Sequence, residues 1–182
     1  MSEVVRRQVD GAVAVSKPLS TIANTSRELV ESMSDIVWAI NPNRDNLSDL
    51  SQRMRHFASD LLTAHDIEFR FDAKDTEKTV KLDAQLRRQV FLIFKESLNN
   101  IVRHSGCANV NIELKIENYH IALTLADDGR GFDPAQASQG HGLMSMRQRA
   151  KALGANLDIV SGRDKGTVVS LKVPLAHRMA LA

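Results

Sequence analysis

The sequence predicts an α+β fold: a two-layer α/β sandwich with helices on one face of a mixed sheet, preceded by a helical segment. Three observations carry this. Residues 1–58 show helical periodicity and no strand pattern. Residues 67–175 alternate short period-two runs with helical runs. Hydrophobic residues make up 43% of the 182-residue chain, enough to build a core for such a domain.

Each element follows in order. Val5, Val9 and Val13 suggest a weak helix over 2–15, opposed by Gly11. Pro18 suits the first turn of the next helix, 19–40. There Ile22, Leu29 and Ile36 recur every seven residues, with Ser26, Met33 and Ile40 as the companion series. That is a coiled-coil seam. It fits a helix packed within one domain or a helix in a dimeric bundle; its three heptads favour the bundle. Asn41-Pro42-Asn43 stops it. Residues 47–63 form a helix with Leu50, Met54, Phe57 and Leu61 on one face. Residues 67–71 alternate strictly and read as a strand, and 80–82 make a short strand at most. Helix 83–104 buries Leu86, Val90, Ile93, Phe94, Leu98 and Ile101. Strands 110–116 and 120–126 flank a turn at Asn118-Tyr119. A helix over 142–153 and strands 157–160 and 167–173 complete the domain, and Pro174 ends the last strand. The expected organisation is 1–45 helical, 46–176 globular and 177–182 a frayed tail.

Composition excludes several classes. The net charge of +2 makes no basic nucleic-acid surface. The lone cysteine, Cys107, rules out an intrachain disulfide and a cysteine-rich zinc site. No apolar run approaches ~18 residues, and no basic-then-apolar leader opens the sequence. The chain reads as soluble and cytoplasmic, with no membrane contact of its own.

Four clusters carry chemistry. Glu96, Asn100 and His104 lie four apart, with Arg103 beside them, on one helix face. A carboxylate, an amide and two cationic groups in a row suit a hydrated divalent cation and phosphate oxygens. Asp127-Asp128-Gly129-Arg130-Gly131-Phe132 follows a strand directly. Its carboxylate can accept from an exocyclic amine, and its glycines allow close backbone approach. Gly140-His141-Gly142-Leu143 opens a helix whose free N–H groups and dipole favour an anion. Gly162 to Gly166 turn into the last strand, where Thr167 offers a hydroxyl. Taken singly, each cluster also fits a solvated face or a plain turn. Their order around this strand pattern is what points to a nucleotide site.

These residues resemble the ATP-binding catalytic domain of two-component sensor histidine kinases, in the GHKL group with gyrase, heat-shock protein 90 and MutL, whose ATP-binding (Bergerat) fold is a two-layer sandwich. Residues 92–104 resemble the N box, 127–132 and 140–149 the two glycine boxes, and 166–167 the final Gly-Thr element. Residues 94–104 and 33–42 are similar to the nitrate-sensor and DesK-like branch. The resemblance implies ATP and Mg²⁺ as ligands. It implies Asn100 as Mg²⁺ ligand and Glu96 as the catalytic residue that polarises the attacking group or orders water. Asp127 would bind adenine N6 with Thr167 in support, and Gly129 and Gly131 would let the backbone pass the base. Gly140, Gly142 and Leu143 would face the phosphates, with Arg103 and His104 near them. It further implies a homodimer through the first helices, a response regulator as partner, and a parent protein that an inner-membrane anchor would suit. Two features depart from the pattern. The segment between Phe132 and Gly140 is short, as in that branch. None of the six histidines (His56, His65, His104, His120, His141 and His177) begins a histidine-acidic motif on the first helix. The sequence therefore reads as a C-terminal piece without its sensor and acceptor histidine. A GHKL-type ATPase, an anti-sigma-factor-like serine kinase and a nucleotide-binding module without turnover are the alternatives.

Overall fold

The computed structural model describes residues 44–74, 80–133 and 141–175, with Ile22, Thr25, Ser26, Leu29, Val30, residues 33–38, Ile40 and Asn41 ahead of them. The expectations for 2–15, for Gly140 and for the tail lie outside the described residues. The chain forms two compact units, Met1–Ile40 and Asn41–Ala182. In the first, the described residues up to Ile40 are helical, and the seam residues Ile22, Leu29, Met33 and Ile40 are exposed.

The second unit runs α1 (Leu47–Thr63), β1 (Glu68–Lys74), α2 (Ala84–Asn100), a π-helical turn (Ile101–Ser105), β2 (Asn109–Glu117), β3 (His120–Asp127), α3 (His141–Ala152), β4 (Asn156–Ser161) and β5 (Thr167–Pro174). The five strands form one mixed sheet in the order β1-β2-β3-β5-β4. β1 and β2 are parallel and the other pairs antiparallel.

Period-two alternation sorts the sheet into two faces. Val110, Ile112, Leu114, Ile121, Leu123, Leu125, Val169, Leu171 and Val173 are buried on the helix side. The opposite face carries Lys74, Glu113, Lys115 and Glu117 in exposed ion pairs. α1 and α2 close the core, with Leu47, Leu50, Met54 and Leu62 against Leu86, Val90, Ile93, Phe94 and Leu98, all buried. The Phe57 ring stands edge-on to Phe91 at 5.8 Å and to Phe94 at 6.3 Å. Phe57 and Leu61 are only half-buried: the stripe of α1 runs through Leu47, Leu50, Ser51, Met54, Ala58 and Leu62. The expected face holds at Leu50 and Met54 and shifts by one residue, to Ala58 and Leu62, in the second half of the helix.

Asp83 caps α2 by accepting the Leu86 amide at 2.7 Å. The buried Arg87 guanidinium donates to the carbonyls of Asn41 and Arg44, fixing the stretch that enters α1. Residues 80–82 form no strand of their own. Lys81 makes an isolated bridge with Asn46, and Leu82 and Leu47 exchange amides with Asp45 and Val80. The expected helix 83–104 is α-helical only to Asn100. In the widened turn the Ser105 hydroxyl donates back to the Ile101 carbonyl at 2.7 Å, and left-handed Gly106 then ends it. Among the described residues no helix is long and apolar enough to cross a membrane.

Candidate nucleotide site

A cavity of about 480 Å³ opens between the C-terminal half of α2, the start of α3 and the ends of β3, β4 and β5. That volume lies in the usual range for small-molecule sites. Leu125, Ile159 and Val169 form its apolar sheet-side floor, with Ile101 and Met146 from the helical side. Glu96, Asn100, Arg103, His104, Asp127, Gly131, Gly142, Leu143 and Thr167 all border it. The four sequence clusters, far apart in the chain, therefore meet in one place. Gly140 lies outside the described residues.

At the sheet end, β3 and β5 put Asp127 and Thr167 directly opposite one another. Asp127 is 8% exposed. Its Oδ1 accepts the Gly129 amide at 2.9 Å. Burial pushes its carboxyl above the ordinary value of 3.8, and hydrogen bonds from Gly129 and Thr167 oppose that rise. The result is a desolvated acceptor facing an apolar slot, suited to a neutral N–H donor.

Next to it, Asp128 points the other way and is structural. Its Oδ1 accepts the Ala108 and Asn109 amides at 2.9 Å each, and its Oδ2 accepts the Asn109 side-chain amide at 2.8 Å. Those bonds, led by the Asn109 side chain, hold the carboxyl below its usual value. Gly131 has φ +61°, and a Cβ there would strike the Gly162 carbonyl. The backbone from 129 to 131 is locked by Arg130 N–H to Ser105 O at 3.0 Å, Gly166 N–H to Gly129 O at 2.8 Å and Asp164 N–H to Arg130 O at 2.7 Å.

At the helix end, Glu96 and Asn100 are half-buried on α2, while Arg103 and His104 sit exposed at the rim on the π-helical turn. That turn rotates both residues away from strict four-residue alignment with Glu96. Gly142 at the start of α3 touches the Glu96 carboxylate so closely that a Cβ would collide with Oε1. α3 is held to α2 by the Ser97 hydroxyl against Met146 Sδ at 3.4 Å and by Arg149 to Gln89 Oε1 at 2.9 Å. Burial, with Arg88 nearby, pulls the Arg149 guanidinium below its ordinary value.

A nucleotide and Mg²⁺ fit this donor set. The cavity has an apolar slot ending in a carboxylate, and a polar end at a helix N-terminus. Among the described residues no group of three or more His, Cys, Asp or Glu side chains could hold a metal by itself. A metal here would complete its shell with phosphate oxygens and water, which is how Mg²⁺ binds with nucleotides.

The sequence reading missed Ser161, Ser105 and Arg130. Ser161 lies on the core face two residues beyond Ile159, so strand alternation through β4 was the available signal. Arg130 borders the cavity and donates from Nε to the His104 carbonyl at 2.6 Å.

Residues 85–177 match the family described as histidine kinase-, DNA gyrase B- and HSP90-like ATPase. The chain belongs to this ATPase family, and its α+β sandwich is that family's catalytic fold. It is 27% identical to the sensor histidine kinase LiaS of Bacillus subtilis (strain 168) over 176 residues, 96% of this chain and 48% of LiaS. It is 35% identical to the sensor protein VraS of Staphylococcus aureus (strain COL) over 96 residues, 52% of this chain and 28% of VraS. The chain thus spans about half or less of these relatives. Among solved structures, the histidine kinase domain of the Erythrobacter litoralis EL346 blue-light activated histidine kinase superposes with TM-score 0.58 at 24% identity, covering 71% of this chain and 62% of that one. The Acinetobacter baumannii histidine kinase AdeS gives TM-score 0.63 at 16% identity, covering 87% and 83%.

Proposed function

We propose that this chain is the ATP-binding catalytic part of a sensor histidine kinase, which passes the ATP γ-phosphate to a histidine for relay to a response regulator. One observation carries the reading: a single cavity joins the buried Asp127 and the half-buried Thr167 opposite it to Glu96, Asn100 and Gly142. A desolvated carboxylate at one end selects an amino-bearing base. A helix N-terminus, an amide and a carboxylate at the other end suit a metal-bound triphosphate. Phosphoryl transfer asks a protein for positioning and charge neutralisation, and these are what such groups supply.

In this reading Asp127 accepts from adenine N6, with Thr167 in support. Gly129 and Gly131 let the backbone lie along the base. Gly140, Gly142 and Leu143 face the phosphates, with Arg103 and His104 at the rim. Asn100 holds Mg²⁺, which when bound neutralises phosphate charge. Glu96 orients the attacking group or water at the γ-phosphate. The exposed seam of Ile22, Leu29, Met33 and Ile40 supports pairing with a second copy through residues 1–45. The name of LiaS, a sensor histidine kinase, and that of VraS, a sensor protein, support the sensor-kinase assignment.

The test is incubation of the chain with γ-labelled Mg·ATP, alone and with a fragment bearing a histidine on a first dimerisation helix. We expect ATP to bind, no acid-labile label on this chain, and label on the supplied fragment. Asn100→Ala should abolish the Mg²⁺-dependent part of binding. ATP bound equally well with and without Mg²⁺ in both forms, or no transfer to any supplied histidine, would overturn the assignment.

A further inference from the structure

We propose that Ser161 is a positioning residue for base recognition, setting the direction of the Thr167 hydroxyl and tying the base end of the cavity to the root of the segment between β3 and α3. This rests on the adenine-site reading above.

The sheet register makes the case. Ser161, the last residue of β4, pairs with Thr167, the first of β5, and Thr167 pairs on its other side with Asp127. Period-two alternation puts the three on the face that carries Ile159, Val169 and Leu125, the floor of the cavity. They form one polar row at the end of an apolar surface.

Ser161 has one hydroxyl proton and two lone pairs. Its Oγ accepts the Phe132 amide at 2.9 Å. It also lies 3.0 Å from the Gly166 carbonyl and 3.1 Å from Thr167 Oγ1. A carbonyl can only accept, so the single proton goes either to Gly166 or to Thr167. If it goes to Gly166, the Thr167 proton turns toward Ser161. If it goes to Thr167, the Thr167 proton is free to face Asp127 and the cavity. The second arrangement is the one the base end uses: with Ser161 donating to Thr167 Oγ1, the Thr167 proton is directed away from Ser161, toward Asp127 and the cavity.

That matters because the 6-aminopurine edge presents one donor and one ring-nitrogen acceptor. Ionised Asp127 can only accept, so the ring nitrogen needs a donor, and Thr167 is the hydroxyl in the row. The 6-oxopurine edge presents the reverse pattern and conflicts with an acceptor-only carboxylate. A free Thr167 rotor would blur this distinction. The bond to Phe132, the residue after the Asp-x-Gly-x-Gly turn, links the same hydroxyl to the loop that leads toward α3.

The test compares Mg·ATP and Mg·GTP affinities by calorimetry in the full chain. Wild type should prefer ATP. Ser161→Ala should weaken ATP by about tenfold, the scale of one lost internal hydrogen bond, with little change for GTP, and Ser161→Thr should restore the preference. In a Thr167→Val background, Ser161→Ala should cost no further discrimination, because Ser161 acts through Thr167. Should Ser161→Ala not fold, Ser161→Cys keeps the volume, weakens the hydrogen bonds and is read the same way. A wild-type preference that survives in Ser161→Ala or Ser161→Cys, with only a lower melting temperature, overturns the role of Ser161 and leaves the adenine site standing. Equal wild-type affinity for both nucleotides removes the adenine site and this proposal with it.

Discussion

Asp127→Asn should move nucleotide affinity and fold stability in different directions. The carboxylate is buried, and its pKa is shifted upward by that burial. A folded-state value above the unfolded one gives stability that is fully present below the ordinary value of 3.8 and is lost as pH rises through the folded value. At pH 7 the ionised group therefore works against the nucleotide-free fold. Asparagine keeps an oxygen for the Gly129 amide, now 2.9 Å from Oδ1, and carries no charge to desolvate. The melting temperature at pH 7 should hold or rise, and the difference from wild type should close near pH 3. Binding should behave oppositely. Loss of a charge-assisted hydrogen bond to the base costs about 1.5–3 kcal/mol, roughly a 10- to 150-fold weaker ATP affinity. Calorimetric titration with Mg·ATP and thermal melts across pH measure both. If the variant melts several degrees lower and binds ATP as tightly as wild type, Asp127 is a structural residue and the base-site assignment fails.

Two further substitutions probe the two ends of the site. Gly142→Ala drives a methyl into the Glu96 carboxylate, which can swing aside because it is the end of a flexible chain. The fold should survive, while γ-phosphate transfer falls by on the order of 10- to 100-fold, the penalty for misplacing a reacting group by about 1 Å; unchanged single-turnover transfer would refute a role for Glu96 position. Asp128→Ala removes three hydrogen bonds that tie the end of β3 to the start of β2. Its folded-state pKa is lowered, so its stabilisation is present above the ordinary carboxylate value and is lost as pH falls through the lowered one. The variant should melt below wild type at pH 7, with the gap narrowing in acid; a gap that stays constant down to pH 2 would refute this account.

Much of the fold was legible because its periodicities are clean. β2 and β5 alternate, β3 does so apart from the buried Ala122, and α2 keeps an apolar stripe from Leu86 to Leu98 opposite Glu96 and Asn100. The motifs also named most residues that border the cavity. What stayed hidden depends on register and on local competition for carbonyls. Asp127, Thr167 and Ser161 form a row only once β3, β5 and β4 are paired, and spacing along the chain does not encode that pairing. Ser161 falls between the expected strand 157–160 and the turn from Gly162, so neither pattern singles it out. The π-helical turn went unseen because the apolar pattern of residues 83–104 runs on through Ile101, and a helical wheel does not register a change of hydrogen-bond spacing.

The two ends of the cavity differ in how firmly they are built, and the difference suits a transfer site. The base end is set by sheet register and by backbone bonds from Arg130 to Ser105, Gly166 to Gly129 and Asp164 to Arg130. Those bonds tie the loop after β3 to the π-helical turn and to the turn between β4 and β5. The opposite end is made of side chains and one helix start: Glu96 and Asn100 on α2, with Gly142 on α3. α3 is fastened to α2 by side-chain contacts, Ser97 to Met146 and Arg149 to Gln89. Side-chain fastenings yield at smaller cost than a paired strand, so α3 is the element able to adjust when a triphosphate enters. Loosening it through Arg149→Ala should therefore alter the proposed phosphate end and leave the proposed preference for adenine, assigned to the paired strand ends, in place.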